Sequence, residues 1–260
     1  MELLRGRLRP AREETLVWSV VASAWSLALL AAVRGYDHLL RHDAVVGGDG
    51  FPGLVALLLF LAAWQVMTGA MMLPSSLPMA GLFVRASRGQ ARPRLAVMAF
   101  LAAYFAVWTG FALVALLSDA GLHRLVGRWR WLDERPRLIA GSVLVLAGAF
   151  QFSPLKERCF DACRSPVGFL WHHYRQGLRP AWDLGLRHGL FCLGCCWALM
   201  LTMFAVGVGS LTWMAGLTGV MLIEKTTPWG RRLVPLVGAA LLVWGALVLW
   251  QPGWLPLFFS

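Results

Sequence analysis

The chain has 260 residues, of which 58% are hydrophobic and 14% charged, and its formal net charge is +11. Ordinary globular domains carry about 25% charged residues, and several apolar runs here reach the roughly 20 residues that a membrane-spanning helix needs. This excludes a soluble domain and predicts an all-α, polytopic transmembrane bundle. Nucleic acid is excluded as a partner, because the arginines sit in short connections between apolar runs, where topology determinants belong.

Arg5, Arg7, Arg9 and Arg12 precede an apolar run that starts at Leu16, as in a signal peptide. The run continues to Val33, long for a signal's apolar region, and Glu13 and Glu14 stand at its foot. It reads as a retained first helix. Spans are expected at 16–33, 53–73, 95–117, 137–152, 186–206, 211–223 and 233–250. The fourth and sixth are short, which predicts tilt or fraying there. With the N-terminus in the cytoplasm, 17 of the 24 Lys and Arg fall on the inner side and 7 on the outer. That bias supports seven helices within a single integral membrane domain, its C-terminus outside.

The first outer segment, 34–50, holds Asp37, His38, His42, Asp43 and Asp49 and ends in a glycine-rich turn. It reads as a solvated loop with some capacity to attract cations. Residues 121–132 alternate apolar and basic side chains with Trp129 and Trp131, which suits a helix lying on the membrane surface.

The second span ends with Met67, Met71 and Met72, then Pro74 and Pro78. Met67 and Met71 share a face. The prolines are expected to stop or kink the helix, and the carbonyls they free need partners. The stretch is a Met-rich packing surface or one half of a soft-metal site shared with the fifth span. Both ends are expected at the cytoplasmic depth, and helix bundles build such sites between facing helices.

The inner loop, 153–185, is expected to contain short helices. Ser153 is an N-cap with Pro154 in the first helical position, and Pro166 closes the segment. Cys159 and Cys163 then share a face one turn apart, able to offer two thiolates to one ion but ill-placed for a disulfide with each other. His172 and His173 are adjacent and diverge, so at most one of them joins any given site.

The fifth span carries the densest chemistry. At about 100° per residue, His188, Cys192, Cys195, Cys196 and Met203 fall within roughly 100° of arc, with Met200 at the edge. Thiolate, thioether and imidazole bind soft ions such as Cu(I), and thiolates with imidazole also suit Zn(II). Free Cys also packs as a small hydrophobe, but three of the chain's five cysteines within five residues argue against filler alone. Cys192 can pair with either neighbour without distorting the helix. It is expected to matter most, with His188, Met200, Met71 or Met72 completing the shell and Cys159 and Cys163 as the pair where ions arrive or leave. All five thiols are expected at the cytoplasmic face, where they stay reduced.

Three stretches carry a family resemblance: residues 70–75, residues 154–166 with Cys159 and Cys163, and residues 188–200. Through them the chain resembles a family of bacterial integral membrane proteins of uncharacterised function, catalogued as predicted metal-binding. The resemblance implies a multi-pass inner-membrane protein that handles a metal ion.

Function thus has three readings. In the first, the chain binds a soft metal, Cu(I) ahead of Zn(II), and delivers it to a metal chaperone or metalloenzyme partner or moves it across the bilayer. In the second it is a membrane thiol-redox protein using Cys192, Cys195 and Cys196, since Cys192 and Cys195 have the Cys-x-x-Cys spacing. In the third it is an assembly subunit without chemistry. No phosphate-cradling loop or Ser-His-Asp arrangement appears, so ATP-driven transport within the chain is not expected. Glu224 ends the sixth span, with its neighbour Lys225 as the expected partner.

Overall fold

A computed structural model describes residues 12–34, 53–126, 128–129, 131, 135–206 and 210–250. The outer segment with His38 and His42 lies outside these residues, as do both tails and Leu132. Among the described residues there are nine helices and no strand: α1 (Arg12–Val33), α2 (Gly53–Ser87), α3 (Pro93–Val126), α4 (Pro136–Phe150), α5 (Pro154–Arg164), α6 (Pro166–His173), α7 (Leu178–Val206), α8 (Leu211–Thr226) and α9 (Gly230–Trp250). Five of them, α1, α2, α3, α7 and α9, are long and apolar enough to cross a membrane. The expected fourth and sixth spans are α4 and α8, with 15 and 16 residues. With α5, α4 makes a further span only as a pair bent by 63°.

α7 is the hub. It packs most extensively on α3 and also against α4 and α5, while α2 packs on α1, α8 and α3. Small residues allow these close approaches. A Cβ on Gly185 of α7 would lie 2.3 Å from the Phe100 carbonyl oxygen of α3. At the α4–α9 contact, a Cβ on Gly148 would stand 2.8 Å from the Leu242 backbone nitrogen. Any side chain at either position must push two backbones apart.

Several boundaries differ from expectation. α2 does not end before Pro74; it runs through Pro74 and Pro78 to Ser87. Pro74 cannot donate to the carbonyl of Ala70, and that carbonyl accepts instead from Trp25 Nε1 of α1 at 3.0 Å. With the orphan acceptor satisfied by a neighbouring helix, the proline no longer has to terminate the span. α3 continues to Val126, so residues 121–126 extend a long helix instead of starting a surface one. α7 begins at Leu178, eight residues before the expected start; Pro180 lies in its first turn, where no helical donor is lost. α8 continues past Ile223 to Thr226. That added turn carries Glu224 and Lys225 into the interior, where they are 1% and 7% exposed.

Candidate thiol and lysine site

Helical spacing on α7 places Cys192, Cys195 and Cys196 on its buried side, each at most 1% exposed. Cys195 Sγ lies 3.4 Å from Cys196 Sγ and 3.2 Å from the Cys192 carbonyl oxygen, to which it donates. Cys192 and Cys196, one turn apart, interact side chain to side chain. Across the helix boundary Cys195 Sγ meets Cys163 Sγ of α5 at 3.8 Å. The short helix expected from Ser153 and Pro154 is present: Ser153 Oγ accepts from the Lys156 amide at 3.1 Å. It delivers Cys163 to the α7 stripe, so the loop thiol touches the stripe directly. Cys159, also buried, packs on Gly194, where a Cβ would come within 2.5 Å of its sulfur. That glycine lets α5 lie on α7.

Cys192 has three polar neighbours from three other helices. Lys225 Nζ of α8 donates to its sulfur at 3.2 Å, Tyr104 Oη of α3 stands 3.2 Å away, and Ser76 Oγ of α2 is 3.8 Å away. Lys225 also donates to Ser75 Oγ at 3.2 Å, and Ser76 and Tyr104 hydroxyls are 3.1 Å apart. A buried ammonium costs several kcal/mol unless it is compensated. Among the described residues its hydrogen-bond partners are a sulfur and a hydroxyl.

Glu224 is not its partner. Adjacent helical residues diverge by about 100°, and Glu224 points to Lys156 of α5, with Oε2 3.0 Å from Nζ and both side chains 2% exposed. Gln151 Oε1 also accepts from Lys156, and Arg164 donates to the Glu224 carbonyl. An exposed pair, Arg231 with Asp161, ties the outer side of α5 to the start of α9. These contacts hold the Cys163-bearing helix in place.

The remaining candidates are spread around this cluster. His188 is buried, its ring stacked with Phe100 and Tyr104 and edge-on to Phe169, and among the described residues its Nε2 has no hydrogen-bond partner. Met71, Met72, Met200 and Met203 are fully buried. α2 reaches Cys192 through Ser76 and Lys225 through Ser75, one turn beyond Met72 and Met71 respectively. His173 Nδ1 is 2.9 Å from the Phe169 carbonyl oxygen, and His172 is exposed. Among the described residues, no three His, Cys, Asp or Glu side chains surround one point as a ready metal shell. The sulfurs form a string instead, with separations near the ~3.8 Å edge of a tetrathiolate site with ~2.3 Å metal–sulfur bonds. Sequence reasoning missed Lys225, Tyr104 and Ser76. The cue it held was a lysine at the end of an apolar run beside an acid, which also describes an ordinary helix terminus.

The family described as PpoB2, copper chaperone, matches residues 61–248, a stretch that contains all five cysteines and Lys225. No curated protein and no solved structure matches the chain significantly. With more than two thirds of its length covered by that match, the chain belongs to the PpoB2 copper chaperone family.

Proposed function

We propose that this protein receives Cu(I) at the cytoplasmic face of the bacterial inner membrane and hands it to a metalloenzyme or metal-chaperone partner, with copper as its cargo. The observation that carries this reading is the continuous sulfur contact from Cys163 through Cys195 to Cys196. Thiolates are the preferred donors of Cu(I), and each thiol releases its proton as it binds. An ion held by two sulfurs can form a bond to a third before breaking one to the first, so a string of thiols is a path as well as a site. Cys192, at the inner end beside Lys225, anchors the ion. Cys163, half-buried on the short α5, is where it arrives or leaves. His188, Met200, Met71 and Met72 are reserve donors around the path, and Cys159 positions α5 through its contact with Gly194. Membership in the copper chaperone family supports copper over Zn(II).

The test is Cu(I) and Zn(II) binding to the purified full chain and to single Cys→Ser variants in reducing buffer. The wild type is expected to bind copper stoichiometrically, with the largest loss of affinity in Cys192→Ser and slower transfer to a chelator in Cys163→Ser. Equal affinity for wild type and Cys192→Ser would sink the assignment. A reversible dithiol titration with no metal retained would favour the redox reading instead.

A further inference from the structure

Lys225 is the feature that copper binding alone does not require. It is buried, and it is held by Cys192 Sγ and Ser75 Oγ at 3.2 Å each. Among the described residues no carboxylate forms an ion pair with it. The acid next to it in sequence is already neutralised by Lys156. Lys225 therefore brings its ammonium to the thiols with no carboxylate among the described residues beside it.

We propose that Lys225 sets the selectivity of the thiol string for monovalent over divalent cations. The inference rests on the metal-binding reading above and adds the discriminating residue to it. A Cu(I) ion on two thiolates is a unit anion, and the ammonium of Lys225 makes the assembly neutral. A divalent ion on the same two thiolates is neutral by itself, so Lys225 leaves a net positive charge in a buried, low-dielectric place, where uncompensated charge is costly. A third thiolate would restore neutrality for the divalent ion, but the sulfurs lie in a string, without three donors around one point among the described residues. Lys225 also competes with either ion for the Cys192 sulfur. That competition is common to both ions and cancels in the ratio of their affinities.

The experiment measures Cu(I) and Zn(II) affinities of the full-length protein in detergent, anaerobically, by competition with chromophoric chelators. Lys225→Met should lower the ratio of Cu(I) to Zn(II) affinity by about tenfold or more, whereas Lys225→Arg, which keeps the charge, should hold it near the wild-type value. Lys225→Gln supplies the same neutral comparison should the Met variant misfold. An unchanged ratio in the neutral variants, or an equal fall in Lys225→Arg, overturns the proposal while leaving copper binding intact. A wild type that binds neither ion defeats the metal-binding reading and this inference with it.

Discussion

Two lysines are buried in the bundle, and they are solved differently. Lys156 of α5 is 1% exposed and meets a carboxylate, Glu224, at 3.0 Å with Gln151 as a second acceptor. Its charge is closed off, and the pair pins α5 to α8. Lys225, one residue from that carboxylate, is turned to the other side and meets a thiol. Among the described residues its hydrogen-bond partners are that thiol, which can also bind metal, and the Ser75 hydroxyl. The first lysine is a fastener and the second is part of a site.

Breaking the fastener should have the largest effect. Lys156→Met leaves Glu224 buried without a countercharge, an error that costs about 3–5 kcal/mol. The double variant Lys156→Met with Glu224→Leu should recover most of that loss, because both buried charges are gone. Unfolding midpoints of the purified proteins in detergent would check both. A double variant as unstable as the single would mean that the pair's geometry, rather than its charge balance, is what the fold needs.

The next effect tests the seat of α5 on α7. A Cβ at position 194 would come within 2.5 Å of Cys159 Sγ, so Gly194→Ala forces a shift costing about 1–3 kcal/mol. It should also pull Cys163 away from Cys195 and slow copper transfer. Cys159→Ala in the same chain removes the obstructing sulfur and should restore both stability and transfer rate. Failure of that rescue would show that Gly194 serves something other than the α5 contact.

How much of this was legible in the sequence depends on the range of the interaction. The N-cap at Ser153 and the stripe of Cys192, Cys195 and Cys196 follow from spacing within a few residues, and both stand in the structure. The end of the second span at residue 73 is overturned because the partner of the carbonyl that Pro74 frees, Trp25, lies 45 residues from Ala70. Lys225 was read with its neighbour because nothing local reveals partners 33 and 150 residues distant. The meeting of Cys163 with Cys195 was hidden for the same reason: periodicity aligns side chains on one helix and is silent about which helix faces it. The seven-span count rests on apolar length, and α4 and α8 are the two segments too short for length to decide.

The smallest expected effect is the stability of Lys225→Met, and it sharpens the contrast between the lysines most. Removing this ammonium leaves behind a hydroxyl, Ser75, and a sulfur, Cys192, both of which can be neutral. Ser75 Oγ keeps a second partner, since it donates to the Met72 carbonyl at 2.9 Å. Cys192 keeps Tyr104 at 3.2 Å. No buried charge is stranded, and the apolar stem of Met replaces most of the lysine's volume. The two lost hydrogen bonds, to Ser75 and Cys192, cost about 1 kcal/mol each. Relief from burying an ammonium with no carboxylate among the described residues beside it works the other way. The net change should therefore lie within about 1 kcal/mol of zero, against about 3–5 kcal/mol for Lys156→Met. Unfolding of the two variants side by side, without added metal, measures the difference. A loss in Lys225→Met as large as in Lys156→Met would mean that Cys192 is a thiolate in the resting fold, so that its stranded charge bears the penalty; Cys192→Ala in the Lys225→Met background would then restore stability.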